Sequence, residues 1–138
     1  MYNKNGNSMF CALIVEDSAI FRDTLSEVIH QHFPAIQIES VGDGLEVLDL
    51  VSQVEPDIIL MDIKLPGVDG ITLTKSIKLG FHGIVVVMLS NHDIPEYRQA
   101  AFKHGADCFI SKGAASCMND VLARLEGTLT SKGIVVQH

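Results

Sequence analysis

Hydrophobic residues form five short runs along the chain, and longer segments with helical spacing separate them. The runs lie at about 10–15, 36–41, 58–61, 84–89 and 108–110, where apolar residues predominate. Short, almost continuous apolar runs are typical of strands that are covered on both faces of a parallel sheet. The pattern therefore predicts five buried strands.

The segments between the runs repeat their apolar residues every three or four positions, which predicts an amphipathic helix after each strand. We expect Ser18 to cap the first helix, although Asp17 competes for that position. Strands that alternate with helices predict an α/β fold, in which right-handed crossovers place helices on both faces of a parallel sheet. The predicted helices lie at about 18–32, 47–54, 71–78, 94–104 and 118–129.

Composition and charge narrow the class of protein. The chain has 138 residues, of which 47% are hydrophobic, and this suits one domain with a full core. No apolar run approaches the roughly 20 residues that span a bilayer, so we expect no membrane association. The net charge of -7, with only 10 Lys and Arg residues, argues against direct nucleic-acid binding and fits a cation site or a basic partner.

The two ends of the chain are more polar than its centre. The N-terminal sequence MYNKNGNSMF has no long apolar block, so it does not resemble a signal peptide. We expect a flexible N-terminal tail over 1–8 and a single domain over 9–127. Residues 128–138 are predicted to form a C-terminal tail or linker stump, although Ile134 to Val136 could instead add a short edge strand.

The cysteine pattern predicts free thiols. Cys11, Cys108 and Cys117 are odd in number and lack CxxC spacing, which argues against a disulfide framework and against a zinc site. Two of them, Cys11 and Cys108, fall in predicted strands, where a buried thiol is common. A reducing, cytoplasmic location is therefore expected.

Polar side chains gather where the predicted strands end. Because the carboxyl ends of parallel strands share one edge of the sheet, and sites form beyond that edge, we expect these side chains to lie together. They are the Glu16–Asp17 pair after the first strand, Asp62 after the third, Ser90 and Asn91 after the fourth, and Lys112 after the fifth.

Each of these residues also has a structural explanation when taken alone. Asp62 could cap the following turn, and Glu16 and Asp17 could stabilise a helix N-terminus through its dipole. Ser90 could cap a turn, and Lys112 could be an ordinary surface lysine. These explanations do not account for the occurrence of all five residues at corresponding strand ends.

The predicted cluster of acids requires a positive partner. Two carboxylates about 4 Å apart repel by roughly 4 kcal/mol at an effective dielectric near 20, so three converging acids shift their pKa values or recruit a cation. Oxygen ligands with open positions suit Mg2+, which keeps several waters and also binds phosphate oxygens. With Asp62 as the nucleophile, and with Mg2+ and Lys112 neutralising charge, the pattern indicates a phosphoryl-transfer site.

At this point the sequence resembles the response-regulator receiver domain of two-component signalling. The resemblance runs from about Met9 to Leu125 and rests on the motifs LIVEDS, DIILMDIKLPGVDG, VVVMLS and GADCFISKG. It implies a flavodoxin-like (βα)5 fold, a doubly wound parallel five-stranded sheet with strand order 2-1-3-4-5. The segments VEDSAIFRDTL, EYRQAAFKHGAD and SKGA are similar to receivers of LuxR-type transcription factors.

The resemblance also implies residue roles and partners. Asp62 would accept a phosphoryl group from a phosphohistidine on a sensor histidine kinase or phosphotransfer protein. Lys112 would correspond to the lysine that is typical of the family's phosphorylation site. Ser90 would be the switch hydroxyl and Phe109 the switch aromatic, which swings inward as the surface of helix four, strand five and helix five changes shape. The Mg2+ ligands would be the side chains of Glu16, Asp17 and Asp62 and the backbone carbonyl of Lys64.

Other positions would tune rather than perform the reaction. Asn91 stands where the family usually has Ala or Gly, and its bulk could narrow access to Asp62. Lys64 and His92 fall at positions that modulate dephosphorylation. The resemblance further allows a homodimer, and it implies a phosphorelay acceptor that catalyses only its own phosphorylation and dephosphorylation.

Two other classes of protein share parts of this pattern. A dehalogenase-like phosphatase needs a second acid two residues after its nucleophile, but Lys64 occupies that position. A flavodoxin-like cofactor module needs a Ser-, Thr- or Gly-rich phosphate loop after the first strand, but EDSAIF carries two acids there, which repel a phosphate. The sequence therefore lacks a feature that each of these two classes requires, which favours the receiver hypothesis.

Overall fold

The computed structural model describes residues 10–134, in which five strands and five helices alternate. The predicted tail over 1–8 lies outside the described residues. The elements, in chain order, are β1 (Cys11–Val15), α1 (Ala19–His32), β2 (Gln37–Val41), α2 (Val47–Val54), β3 (Ile58–Asp62), α3 (Gly70–Gly80), β4 (Val85–Ser90), α4 (Pro95–Lys103), β5 (Cys108–Ser111) and α5 (Cys117–Ser131).

The strands form one parallel sheet in the order β2-β1-β3-β4-β5, which confirms the predicted flavodoxin-like topology. The register brings the strand ends level with one another. Asp62 at the end of β3 is opposite Leu89 in β4, and Ser90 at the end of β4 is opposite Ser111 in β5. The carboxyl edge of the sheet therefore collects the polar residues that follow the apolar runs.

Two apolar layers cover the two faces of the sheet. Alternate residues of β1 enter different layers, because successive side chains of a strand point to opposite faces. Ala12 and Ile14 pack in the layer that includes residues of α1 and α5, whereas Leu13 and Val15 pack in the layer that includes residues of α2, α3 and α4. All five residues of β1 are buried, which explains why the strand has no alternating polar positions.

The start of α3 is fixed by its approach to the end of β3. Asp69 is the N-cap of the helix and accepts a hydrogen bond from the Thr72 N–H at 3.0 Å. A β-carbon on Gly70 would lie 2.1 Å from the backbone oxygen of Asp62, so only glycine fits there. The helix thus begins one residue before the predicted start, and its first turn supports the backbone of Asp62.

The last helix extends past residue 127, the predicted end of the domain, and ends two residues after its own predicted end at about 129. Helix α5 continues to Ser131 because Thr128 and Leu129 are buried against the sheet. Gly133 has a φ of 78°, and the Ile134 N–H donates to the Leu129 carbonyl at 3.0 Å, which closes the helix end. Ile134 packs on the core and is not in a strand, and the rest of the alternative edge strand lies outside the described residues.

Candidate functional site

Three carboxylates converge at the carboxyl edge of the sheet. Glu16 and Asp17 follow β1, and Asp62 ends the neighbouring strand β3. One oxygen of each carboxylate lies within 4.8 Å of the others. Glu16 and Asp62 are buried and Asp17 is exposed, so the cluster has one side that faces solvent. The sequence prediction that these acids meet at one edge is reproduced by the geometry.

Lys112 joins the two buried acids. Its Nζ hydrogen-bonds to Oε1 of Glu16 and lies 3.1 Å from Oδ2 of Asp62, and its side chain is only 7% exposed. The Lys112 N–H donates to the Ser90 carbonyl at 2.9 Å, which fixes the chain after β5 against the end of β4. The ring of Phe21 lies 4.8 Å from Nζ and covers it from the α1 side. Lys112 is therefore a buried partner of the acids and not a surface lysine.

The buried carboxylates outnumber their positively charged partners, because Glu16 and Asp62 share Lys112. Burial raises the pKa of Glu16 to about 7, with a contribution from Asp62 in the same direction, while Lys112 opposes the rise. Burial alone would lower the pKa of Lys112, but its contacts with Glu16 and Asp62 outweigh burial and raise it. Among the described residues, Oε2 of Glu16 is the buried side-chain oxygen without a hydrogen-bond partner. A cation beside these oxygens would satisfy it, so the residues fit a metal site.

Ser90 is buried at the end of β4, but its hydroxyl is engaged by the loop that follows. Its Oγ accepts a hydrogen bond from the His92 N–H at 2.9 Å and lies 3.2 Å from the His92 carbonyl, which it can reach as a donor. Asn91 and the side chain of His92 are exposed. The hydroxyl is therefore on the strand next to Asp62, and its hydrogen bonds connect it to the β4–α4 loop.

Lys64 is turned toward α4. Its N–H lies 3.4 Å from Oδ1 of Asp62, while its Nζ is 5.4 Å from the centre of the Tyr97 ring. The rings of His92 and Tyr97 meet edge to face at 6.2 Å. Lys64 and Tyr97 border an open cleft of about 490 Å3, which Asp17 also lines. The cleft leads to the solvent-facing side of the acid cluster.

Phe109 is buried beneath a cation that sequence reasoning did not identify. The residue is 7% exposed, and the guanidinium carbon of Arg98 lies 4.6 Å from the centre of its ring. Arg98 and Tyr97 are ordinary polar-face residues of a helix in the sequence EYRQ, so no signal in that pattern points to either contact. They become relevant only because α4 packs beside the ends of β4 and β5.

The chain is similar to known proteins in sequence and in fold. A family model described as the response regulator receiver domain matches residues 12–126. The chain is similar to the chemotaxis protein CheY of Halobacterium salinarum, with 32% identity over 72% of this chain and 82% of that protein. It is also similar to a protein-glutamate methylesterase/protein-glutamine glutaminase of Vibrio cholerae, with 33% identity over 76% of this chain.

The similarity to known proteins has a limited extent. The chain spans only 30% of the length of the Vibrio cholerae relative. In three dimensions it resembles a CheY-like receiver domain protein from Methanospirillum hungatei, with a TM-score of 0.81 and 22% identity over 91% of this chain and 98% of that one. That likeness concerns the fold.

Within residues 10–134, every helix is too short or too polar to cross a membrane.

Proposed function

The chain belongs to the response regulator receiver domain family of two-component signalling, and we propose that Asp62 is its phosphoacceptor. The phosphoryl donor would be a phosphohistidine on a sensor histidine kinase or phosphotransfer protein. The observation that carries the proposal is the shared contact of Lys112 with Asp62 and Glu16, beside a buried oxygen of Glu16 that has no partner. Asp62 is therefore placed at the carboxyl edge of the sheet, near the buried oxygen of Glu16 that has no hydrogen-bond partner.

The proposed transfer is an in-line substitution at phosphorus. An oxygen of Asp62 forms the new bond to phosphorus, the bond from phosphorus to the histidine nitrogen breaks, and its electron pair stays on the imidazole. Charge grows on the phosphoryl oxygens during this step. The ammonium of Lys112, 3.1 Å from Oδ2 of Asp62, is placed to oppose that charge from a buried position, where electrostatic effects are strong.

We further propose Mg2+ as the cation, held by Glu16, Asp17 and Asp62 and by the backbone carbonyl of Lys64. Mg2+ prefers oxygen ligands and keeps open positions, and the donor set contains only oxygens. When bound, it would supply charge neutralisation for the phosphoryl oxygens. The exposed carboxylate of Asp17 supports the choice, because it leaves the solvent side of the cluster accessible.

Ser90 and Phe109 would carry the response to the surface formed by α4, β5 and α5. The Ser90 hydroxyl would leave the β4–α4 loop for the phosphoryl group, which biases a two-state element. A second copy of the chain or another output partner would bind that surface. The modulating roles of Lys64, Asn91 and His92 stay predictions, as does the cytoplasmic location, which rests on the free cysteines.

We propose that the chain has no catalytic activity beyond its own phosphorylation and dephosphorylation. The methylesterase activity in the name of the Vibrio cholerae relative belongs to a protein more than three times as long as the matched segment. Lys64 stands where a phosphatase of the dehalogenase type needs its second acid. Both observations support a phosphoacceptor domain.

The test is intact-mass analysis after incubation with a small phosphodonor and Mg2+. We expect the wild type to gain one phosphoryl mass and Asp62→Asn to gain none. Asp57→Asn is the matched control, because Asp57 is an equally buried aspartate before the same strand. A wild type that gains no mass would overturn the proposal, and so would an adduct that persists in Asp62→Asn.

A further inference from the structure

The backbone of Glu16 is held by hydrogen bonds on both sides. Its N–H donates to the Val41 carbonyl at 3.1 Å, which continues the pairing of β1 with β2. Its carbonyl accepts a hydrogen bond from Nη1 of Arg22 at 2.6 Å. Because this carbonyl belongs to the peptide that joins Glu16 to Asp17, its direction sets where the chain leaves for Asp17. Two acids of the cluster are therefore oriented by a donor that is outside the cluster.

The donor comes from the start of α1. The Arg22 N–H donates to the Ser18 carbonyl at 2.9 Å, and the Arg22 side chain folds back over the loop between β1 and α1. A guanidinium gives a charge-assisted hydrogen bond, which is stronger than a bond between neutral groups. The carboxylate of Glu16 pairs with Lys112. Arg22 therefore holds the backbone of Glu16, while Lys112 holds its side chain.

Gly42, after β2, leaves the space that the guanidinium occupies. A β-carbon on Gly42 would lie 3.0 Å from Nη1 of Arg22 and 3.9 Å from the carbonyl oxygen of Glu16. Gly42 is not among the glycines with positive φ, so its backbone conformation suits other residues as well. An alanine at this position would keep the backbone and displace the end of the Arg22 side chain.

The preceding residue of α1 contacts the other partner of Glu16. The ring of Phe21 lies 4.8 Å from Nζ of Lys112, which hydrogen-bonds to Oε1 of Glu16. A cation is attracted to the face of an aromatic ring, so this contact favours the position of the ammonium. Consecutive residues of α1 thus act on Glu16 twice, through its carboxylate partner and through its backbone.

We propose that Arg22 is a positioning residue for the cation site, which directs Glu16 and Asp17 by holding the peptide between them. The role rests on the proposed function, in which these two acids are ligands of Mg2+. Hydrogen bonds that orient metal ligands typically contribute about 10–100-fold to metal affinity. Gly42 belongs to the same arrangement, because it leaves room for the guanidinium.

Charge and position predict opposite results when Arg22 is removed. Arg22 is a cation beside a proposed cation site, so loss of its charge alone would strengthen Mg2+ binding. Loss of its hydrogen bond frees the peptide between Glu16 and Asp17, which weakens binding. A purely structural role would lower the free energy of unfolding and leave the Kd for Mg2+ unchanged. The direction of the change in Kd therefore separates the three explanations.

The experiment measures the Kd for Mg2+ of the full chain by titration followed in two-dimensional amide NMR spectra, without a phosphodonor. Exchange broadening of the Asp17 amide signal is recorded before Mg2+ is added. For Arg22→Ala we expect the Kd to rise about 10-fold and the Asp17 signal to broaden. Arg22→Lys should recover part of the affinity, because a lysine keeps one charged donor but loses the planar guanidinium. Urea denaturation in a chelator shows whether each variant is folded.

Gly42→Ala reaches the same contact from the opposite side. It should raise the Kd in the wild-type background and have no further effect in Arg22→Ala, because the guanidinium that it displaces is already absent. Gly83→Ala is the matched control, since its β-carbon would meet nothing within 4 Å, and it should leave the Kd unchanged. Arg124→Ala removes an exposed cation from α5 and should also leave the Kd unchanged.

Two outcomes would overturn the proposal alone. One is an unchanged or lower Kd in Arg22→Ala, since stability or charge would then account for the contact. The other is a fully additive effect of Arg22→Ala and Gly42→Ala, since the two changes would then act at separate places. A wild type that binds no Mg2+ would overturn the proposed cation site together with the role of Arg22.

Discussion

Strand β3 has a buried aspartate at each end, and the two carboxylates have different surroundings. Asp57, just before the strand, accepts a hydrogen bond from the Cys11 N–H at 2.8 Å and lies 3.5 Å from Nζ of Lys132. Asp62, the last residue, lies 3.1 Å from Nζ of Lys112 but shares that lysine with Glu16. Both aspartates are 5% exposed.

Burial of an acid is therefore not what distinguishes the candidate site. At the amino edge of the sheet, the Cys11 N–H and the Lys132 ammonium contact different oxygens of Asp57. Asp57 therefore connects β1 and the end of α5 to the start of β3. At the carboxyl edge, one lysine serves two buried acids, and one oxygen of Glu16 has no partner. An excess of acids over partners therefore distinguishes the carboxyl edge, where we propose the cation and phosphoryl sites, from the amino edge.

The largest expected effect comes from removing the lysine at the carboxyl edge. Lys112→Met should slow phosphorylation by a small donor about 10²–10³-fold, because a buried donor to the developing charge is lost. Lys132→Met removes the corresponding lysine at the amino edge and should leave the rate unchanged. The rates are measured by intact mass over time, after circular dichroism has shown that both variants are folded. Equal rates in the two variants would contradict the comparison.

A divalent cation should stabilise the folded protein through the acids at the carboxyl edge of the sheet and not through Asp57 at the amino edge. With Mg2+ at about 100 times its Kd, we expect the free energy of unfolding to rise by about 2.7 kcal/mol, because the ion binds only the folded site. Asp17→Asn should reduce this gain, and Asp57→Asn should retain it. Urea denaturation with Mg2+ or with a chelator measures the difference. The comparison fails if Mg2+ does not stabilise the wild type or stabilises Asp17→Asn equally.

Truncating each aspartate should separate stability from function. Asp57→Ala leaves the Cys11 N–H without its acceptor, so we expect a loss of about 1–3 kcal/mol in the free energy of unfolding. Asp62→Ala removes one of two acids that compete for Lys112, so stability should stay equal or rise. Urea denaturation measures both variants without Mg2+. A larger loss in Asp62→Ala than in Asp57→Ala would reverse the assignment of roles.

Sequence patterns were sufficient for the fold and for the composition of the acid cluster. Five apolar runs predicted the strands because fully buried strands leave no polar alternation, and the strand order followed from the family resemblance. Glu16, Asp62 and Lys112 could be placed together because parallel strands end at a common edge. The end of the domain was not predicted correctly, because helix α5 runs past residue 127 to Ser131 with Thr128 and Leu129 buried.

Other contacts between distant elements could not be predicted from the sequence. Asp57 follows Pro56 and has the pattern of a turn residue, and its burial depends on the backbone of Cys11 in another strand. Arg98 contacts Phe109 only because α4 packs beside β5. The hydrogen bonds of Ser90 with His92 likewise depend on the path of the β4–α4 loop. Residue types indicated the chemistry, but their partners were determined by packing.

The smallest expected effect is the pH dependence contributed by Asp57. Burial raises its pKa above the usual value of 3.8, although the Cys11 N–H and Lys132 oppose the rise. The folded state therefore binds the proton more tightly than the unfolded state. The resulting stabilisation is present below pH 3.8 and is lost as the pH rises through the raised pKa.

Comparison of the wild type with Asp57→Asn isolates this contribution. We expect the free energy of unfolding of the wild type, relative to Asp57→Asn, to decrease as the pH rises from about 4 toward neutrality. Lys132→Met should extend the decrease to higher pH, because it removes a charge that lowers the pKa of Asp57. Urea denaturation across this pH range measures it. If the stability relative to Asp57→Asn instead increased with pH, the Cys11 N–H and Lys132 would lower the pKa of Asp57 by more than burial raises it. The ionised carboxylate of Asp57 would then stabilise the folded state.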